Sequence, residues 1–178
     1  MIISLLIIFF KDDKFPILKA SSLLTLIRQS NLFSKFDLKS GFWQLGLKPE
    51  DQYKTTFCIP NAQYQWTTLP FGLKVAPSLF QKAMTKIFEP ILESTLVYID
   101  DILLFLKDIV SHKNLLNQFF EIVNQHGIML SEKKIQLAQS QIDFLGMHFS
   151  RGTYQPQPHI AQELLNFPDE FLKVKQIQ

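Results

Sequence analysis

Two adjacent aspartates, Asp100 and Asp101, split an apolar run into the tetrads Leu96-Val97-Tyr98-Ile99 and Ile102-Leu103-Leu104-Phe105. Each tetrad is short and rich in aliphatic, β-branched or aromatic residues. The decapeptide is therefore expected to form a buried hairpin with Asp-Asp as its two-residue turn. Two like charges held side by side repel, and a bound cation or a raised pKa relieves them. A third carboxylate, Asp37, ends the expected strand Phe33-Ser-Lys-Phe-Asp37, and neighbouring strands of one sheet could bring it to the hairpin tip across 63 positions. Oxygen-only ligands of this kind suit Mg²⁺ or Mn²⁺, with water and a substrate phosphate completing the shell. Two such ions, about 3.5–4 Å apart, would serve phosphoryl transfer. The plainer alternative makes Asp37 a turn cap and Asp100-Asp101 a solvated loop, and the spacing alone does not separate the two.

The elements that must position these residues follow from periodicity. Residues 21–30 suit a short amphipathic helix, and Gly41 marks a bend after Asp37. Alternation at Tyr53, Thr55, Phe57 and Ile59, a turn at 60–62, and Tyr64 and Trp66 beyond it predict a second hairpin. Leu69-Pro70-Phe71-Gly72-Leu73 cannot continue regularly and is expected as a loop. Pro77 suits a first helical residue, with Leu79, Phe80, Met84, Ile87 and Phe88 on one face. Leu115, Leu116, Phe119, Phe120, Ile122 and Val123 predict a helix that Gly127 stops. Ile142, Phe144 and Leu145 begin a strand that Gly146 breaks with a bulge and that resumes at 147–149. The prolines at 156 and 158 read as a linker, and 160–167 as a short helix. The order implies an α+β fold, an antiparallel sheet covered by helices on one face.

Composition narrows the class. With 178 residues, 47% hydrophobic and 17 of them Phe, the chain can bury a sizeable core and is not expected to be disordered. The single Cys58 excludes internal disulfides and fits a reducing, intracellular setting. Histidines 112, 126, 148 and 159 have no zinc-like spacing with it. A net charge of +2 announces no partner, but its distribution is uneven. Residues 35–86 carry seven lysines against Asp37, Glu50 and Asp51, whereas 87–110 carry five acids against Lys107. Phosphate contacts beside a metal-holding cluster would look like this, as would solvated faces. Met1–Phe10 is about half the roughly 20 residues of a membrane span and lacks a basic n-region, so neither a membrane segment nor a signal peptide is expected.

Four blocks occur in order: Phe33-Ser-Lys-Phe-Asp-Leu-Lys-Ser-Gly-Phe-Trp-Gln44, Leu69-Pro-Phe-Gly-Leu-Lys-Val-Ala-Pro-Ser-Leu-Phe-Gln81, Tyr98-Ile-Asp-Asp101 and Phe144-Leu-Gly146. Together they closely resemble the palm of retroelement reverse transcriptases, in particular those of long-terminal-repeat retrotransposons and caulimovirus-like plant pararetroviruses. The resemblance implies a right-hand polymerase palm with a largely absent thumb. Residues 14–152 would be the palm with part of the fingers, and 153–178 a linker and the start of the thumb or connection region. The apolar start, 1–13, falls outside the family pattern.

By the same resemblance, Asp37, Asp100 and Asp101 would be catalytic and hold two Mg²⁺ or Mn²⁺ ions. Leu38 would offer a backbone carbonyl, and the amides of Ser40 and Gly41 would meet the triphosphate of an incoming deoxynucleotide. Phe42 resembles the aromatic gate against a ribose 2′-hydroxyl, although core packing explains it too. Phe71 and Gly72 would touch nucleotide and template. Lys134 resembles the lysine that protonates pyrophosphate, and Phe144, Leu145 and Gly146 the grip on the primer 3′ end. The implied partners are an RNA or DNA template with its primer and deoxynucleoside triphosphates.

Departures from the pattern leave rival readings open. No basic fingers residues precede Lys11, and the sequence reads as a fragment of a polyprotein. It is then either a polymerase core or an inactive retroelement remnant that at most binds nucleic acid weakly. A carboxylate metallohydrolase would explain the three aspartates but not the Phe42 and Phe71-Gly72 blocks.

Overall fold

In the computed structural model, the chain is described at residues 3–7, 15, 27, 30–150, 152–158 and 162. Its centre is a four-stranded antiparallel sheet in the order β6 (Thr95–Tyr98), β7 (Asp101–Leu106), β2 (Leu32–Asp37) and β8 (Gln136–Gln139). The apolar run of β7 follows from burial on both faces. Ile102 and Leu104 join the core beneath the helices, while Leu103 and Phe105 join a second core with Phe33, Ile142, Phe144 and Phe149.

The first face is covered by α3 (Ala76–Ile87) and α4 (Ile109–His126). Leu79, Phe80, Met84 and Ile87 form the buried face of α3, as their spacing predicts. The Asp108 carboxylate accepts from the Ser111 amide at the start of α4, and Gly127 closes the helix at φ 66°. Phe119 stacks on Phe36 at 4.2 Å and on Phe88 at 5.4 Å, tying α4 to the sheet. The second face is covered by the three-stranded sheet of β9 (Gln141–Phe144), β10 (Met147–Ser150) and β11 (Thr153–Pro156). Beside the centre, β1 (Ile3–Ile7) runs parallel to β3 (Leu45–Leu47), which follows the single-turn helix α1 (Gly41–Gln44). After α2 (Pro49–Gln52), β4 (Phe57–Ile59) and β5 (Ala62–Tyr64) form an exposed hairpin.

The expected α+β arrangement holds, with four local corrections. Asp101 pairs with Tyr98, so the hairpin turn is Ile99–Asp100 rather than Asp100–Asp101. Tyr53–Thr55 is a 3-10 turn and not the start of a strand. The Thr55 and Thr56 hydroxyls donate to the carbonyls of Gln52 and Tyr53, an alternative to strand pairing that threonine offers locally. Leu145–Gly146 is a tight turn with φ 49° and 77°, joining β9 to β10, and not a bulge within one strand. Thr153–Pro156, in the stretch expected as a linker, pairs with β10, and the proline sits on an edge strand where it is tolerated. The helices expected at 21–30 and 160–167 lie almost wholly outside the described residues. Among the described residues, no helix is long and apolar enough to cross a membrane.

Candidate active site

Strand register brings the carboxylates together. Asp37, the last residue of β2, lies directly opposite Asp101, the first residue of β7. Opposed residues of an antiparallel pair share a face, so both carboxylates leave the sheet on the side of Lys35 and Leu103. Asp100 stands in the turn, its carbonyl accepting from the Leu38 amide at 2.8 Å. That bond joins the hairpin tip to the chain leaving β2. Its side chain turns towards α1, where Oδ1 is buried without a hydrogen-bond partner.

Gly41 makes room for it. A Cβ on Gly41 would lie 2.1 Å from Asp100 Oδ1 and 2.9 Å from the Phe80 ring. Ser40, just before, adopts the left-handed conformation with φ 53° and ψ 50°. The bend expected at Gly41 is therefore made by Ser40, while Gly41 is needed for close approach. Leu38 is buried and bridges Leu130, and the Ser131 amide donates to the Asp37 carbonyl at 2.8 Å. The segment beyond α4 is thus laid beside the site, and it carries Lys134. Lys134 Nζ lies 2.9 Å from Asp37 Oδ2.

The electrostatics are those of crowded anions. Burial, then the charges of Asp37 and Asp101, push Asp100 up to about 6 against the pull of Lys134. Burial also raises Asp101, with Lys35 opposing. The hydrogen bond and charge of Asp37 raise Lys134.

The donor set suits hard divalent cations: three carboxylates, two directly opposed and one with a buried unpartnered oxygen. Among the described residues, no three ligating side chains converge on one point as they stand, and Lys134 neutralises Asp37.

The remaining expected residues fall into two groups. Phe42 is only 8% exposed, packed against Phe71 at 4.9 Å and Phe80 at 5.0 Å. Phe71 itself is 53% exposed, and Gly72 beside it has φ 87°, a conformation that favours glycine. Phe144, Leu145 and Gly146 belong to the β9–β10 sheet, with the Phe144 side chain in the second core. The Lys35 ammonium, 5.8 Å from the Phe144 ring, bonds the Asp143 carbonyl and also acts on Asp101.

Two buried glutamines stand at the site that sequence reading did not single out. Gln44 Nε2 donates to the carbonyls of Lys39 and Met129, and its Oε1 accepts from the Met129 amide. Gln81 Nε2 donates to the Val97 carbonyl, and its Oε1 accepts from the Ile99 amide. The available signal was a long polar residue inside an apolar face: Gln81 sits among Phe80, Ala83 and Met84.

The chain matches the family described as "Reverse transcriptase (RNA-dependent DNA polymerase)" over residues 3–149. That span takes in β1. It is 59% identical over 170 residues to the genome polyprotein of Petunia vein clearing virus (isolate Shepherd), covering 96% of the chain and 8% of that polyprotein. It is 43% identical over 166 residues to the enzymatic polyprotein of Cauliflower mosaic virus (strain Strasbourg), covering 93% of the chain and 24% of the relative.

Among solved structures, a foamy viral protease-reverse transcriptase in complex with double-stranded DNA superposes with a TM-score of 0.75 at 26% identity, covering 92% of this chain and 29% of that one. Another, in complex with an RNA/DNA hybrid, gives 0.69 at 25% identity, covering 83% and 20%. The fold is that of the reverse transcriptase palm. With the family match spanning most of its length and pararetroviral polyproteins among its relatives, the chain belongs to the reverse transcriptase family.

Proposed function

We propose that this domain is the catalytic palm of an RNA-directed DNA polymerase, adding deoxynucleotides to a primer 3′ end on a nucleic-acid template. The observation that carries the reading is the direct opposition of Asp37 and Asp101, with Asp100 in the adjoining turn. Asp37, Asp100 and Asp101 would hold two Mg²⁺ or Mn²⁺ ions. Bound there, such ions supply charge neutralisation for the entering and leaving oxygens of phosphoryl transfer.

The chain's own residues do the rest by positioning. The amides of Ser40 and Gly41 would meet the triphosphate, and Leu38 would offer its backbone carbonyl to a metal. Phe42, held by Phe71 and Phe80, would meet the sugar, and Lys134, whose Nζ lies beside Asp37, would give a proton to departing pyrophosphate. Phe144–Gly146 would bear on the primer. Residues 14–152 are the palm with part of the fingers, and 153–178 lead towards the thumb. The nucleic-acid complexes of the foamy viral proteins support a primer-template as the partner.

A second reading, a folded domain that binds nucleic acid without catalysis, draws on the Lys134–Asp37 ion pair, which spends one of the three carboxylates. Primer extension by the chain with Mg²⁺ or Mn²⁺ separates the two. We expect metal-dependent incorporation that Asp100→Asn abolishes. Absence of incorporation above a no-enzyme control selects the second reading.

A further inference from the structure

The hairpin that carries the aspartates does not hold itself. Its turn places Ile99 at φ 50°, in the left-handed region that β-branched residues avoid. A chain free to relax would leave that conformation, and the peptide between Ile99 and Asp100 would rotate with it. Asp100 would then swing away from Gly41, and the Asp101 side chain beside it, at the first residue of β7, would be redirected.

One side chain opposes this from outside the hairpin. Gln81, on α3 and only 2% exposed, straddles Tyr98. Its Nε2 donates to the Val97 carbonyl at 2.7 Å, and its Oε1 accepts from the Ile99 amide at 2.7 Å. The same Nε2 lies 3.4 Å from Thr85 Oγ1, one helical turn on. With Leu38 bonded to the Asp100 carbonyl, the tip is held from two independent elements.

We propose that Gln81 is a positioning residue for the catalytic carboxylates: by clamping both sides of Tyr98 it keeps Ile99 left-handed and so sets the directions of Asp100 and Asp101. A glutamine that only filled core volume could be replaced by an isosteric apolar side chain at little cost. The inference rests on the metal-holding reading of those aspartates, and two readouts keep the layers apart.

The first readout is amide hydrogen exchange at Ile99 in the whole chain. Gln81→Met keeps the volume and removes both bonds, so Ile99 should exchange about tenfold faster or more, while Ile102 and Leu104 stay protected. The second is Mn²⁺ affinity by water-proton relaxation, expected to weaken about tenfold in Gln81→Met. Gln81→Glu, as a buried protonated acid, retains an acceptor for Ile99 and a donor for Val97 and should keep both properties near parental values. Leu115→Ala, a core truncation in α4, should lower the melting temperature without moving either readout.

Unchanged Ile99 exchange in Gln81→Met overturns the clamp, as does a Gln81→Glu chain as impaired as Gln81→Met. Faster exchange with unaltered Mn²⁺ affinity, or equal weakening in Leu115→Ala, overturns the positioning role. Parental Mn²⁺ affinity no tighter than that of Asp100→Asn refutes the metal reading itself, and the inference with it.

Discussion

Gly41→Ala isolates the geometry of one carboxylate. Gly41 does not need a positive φ, so alanine fits the backbone, and in α1 it gains up to about 1 kcal/mol of helix propensity. The obstacle is steric. The new Cβ would stand 2.1 Å from Asp100 Oδ1, whereas ordinary contacts begin near 3.4 Å, so the oxygen must retreat by about 1.3 Å. Phe80, at 2.9 Å, must shift by about 0.5 Å, the far end of its ring giving way. Because Oδ1 has no hydrogen-bond partner, the carboxyl rotates without breaking a bond. Stability should thus change by no more than about 1 kcal/mol, the propensity gain offsetting the strain.

Catalysis is less forgiving, since a misplacement of about 1 Å costs on the order of a hundredfold. The Gly41 amide is untouched, so nucleotide binding should persist. Single-nucleotide incorporation by Gly41→Ala should therefore show kcat down about a hundredfold, KM for the nucleotide within a few-fold, and a melting curve close to the parent's. A rate within threefold of the parent, or a loss confined to KM, would refute the argument that Asp100 must occupy the space beside Gly41.

Two further outcomes follow from the same interior. Asp100 titrates near 6 in the fold against an ordinary 3.8, so the native state keeps a proton that the unfolded chain has already lost. The stability this gives is fully present below about pH 4 and gone as pH rises through about 6. Partial exposure screens it to about 1 kcal/mol. Asp100→Asn should therefore melt higher than the parent at pH 8 and show a shallower slope between pH 4 and 6, the remainder belonging to Asp101, also raised. Urea titrations from pH 4 to pH 8 measure both, and an Asn variant less stable at pH 8 would contradict the burial of this charge. Phe119→Ala, which removes the ring stacked between Phe36 and Phe88, should lose about 3–5 kcal/mol in the same titrations, and a loss below about 1 kcal/mol would show that α4 is not held through it.

How far the sequence reveals this site depends on which interactions are local. The strand ending at Asp37, the apolar faces of α3 and α4, and the Gly127 stop are written in spacing and in residue type, and the folded chain has them. Tyr53–Thr55 shows the limit of alternation: threonine hydroxyls bonded to carbonyls three residues back convert a strand-like pattern into a 3-10 turn. The Asp-Asp hairpin is more instructive. A turn at Asp100–Asp101 would pair Val97 with Leu104, whereas the observed turn at Ile99–Asp100 pairs Val97 with Ile102. The partners differ by two, so every side chain keeps its face and the hydrophobic pattern cannot choose between them. Local turn preference leans away from the observed register, because it sets a β-branched residue at positive φ. What tips the balance is Gln81, which is 18 positions away and accepts the Ile99 amide. Its bond forms only once α3 has packed on the sheet. The hairpin register that leaves Asp100 in the turn and makes Asp101 the first residue of β7 is therefore decided by tertiary structure, at the one place where chemistry needs a geometry the local sequence would not choose.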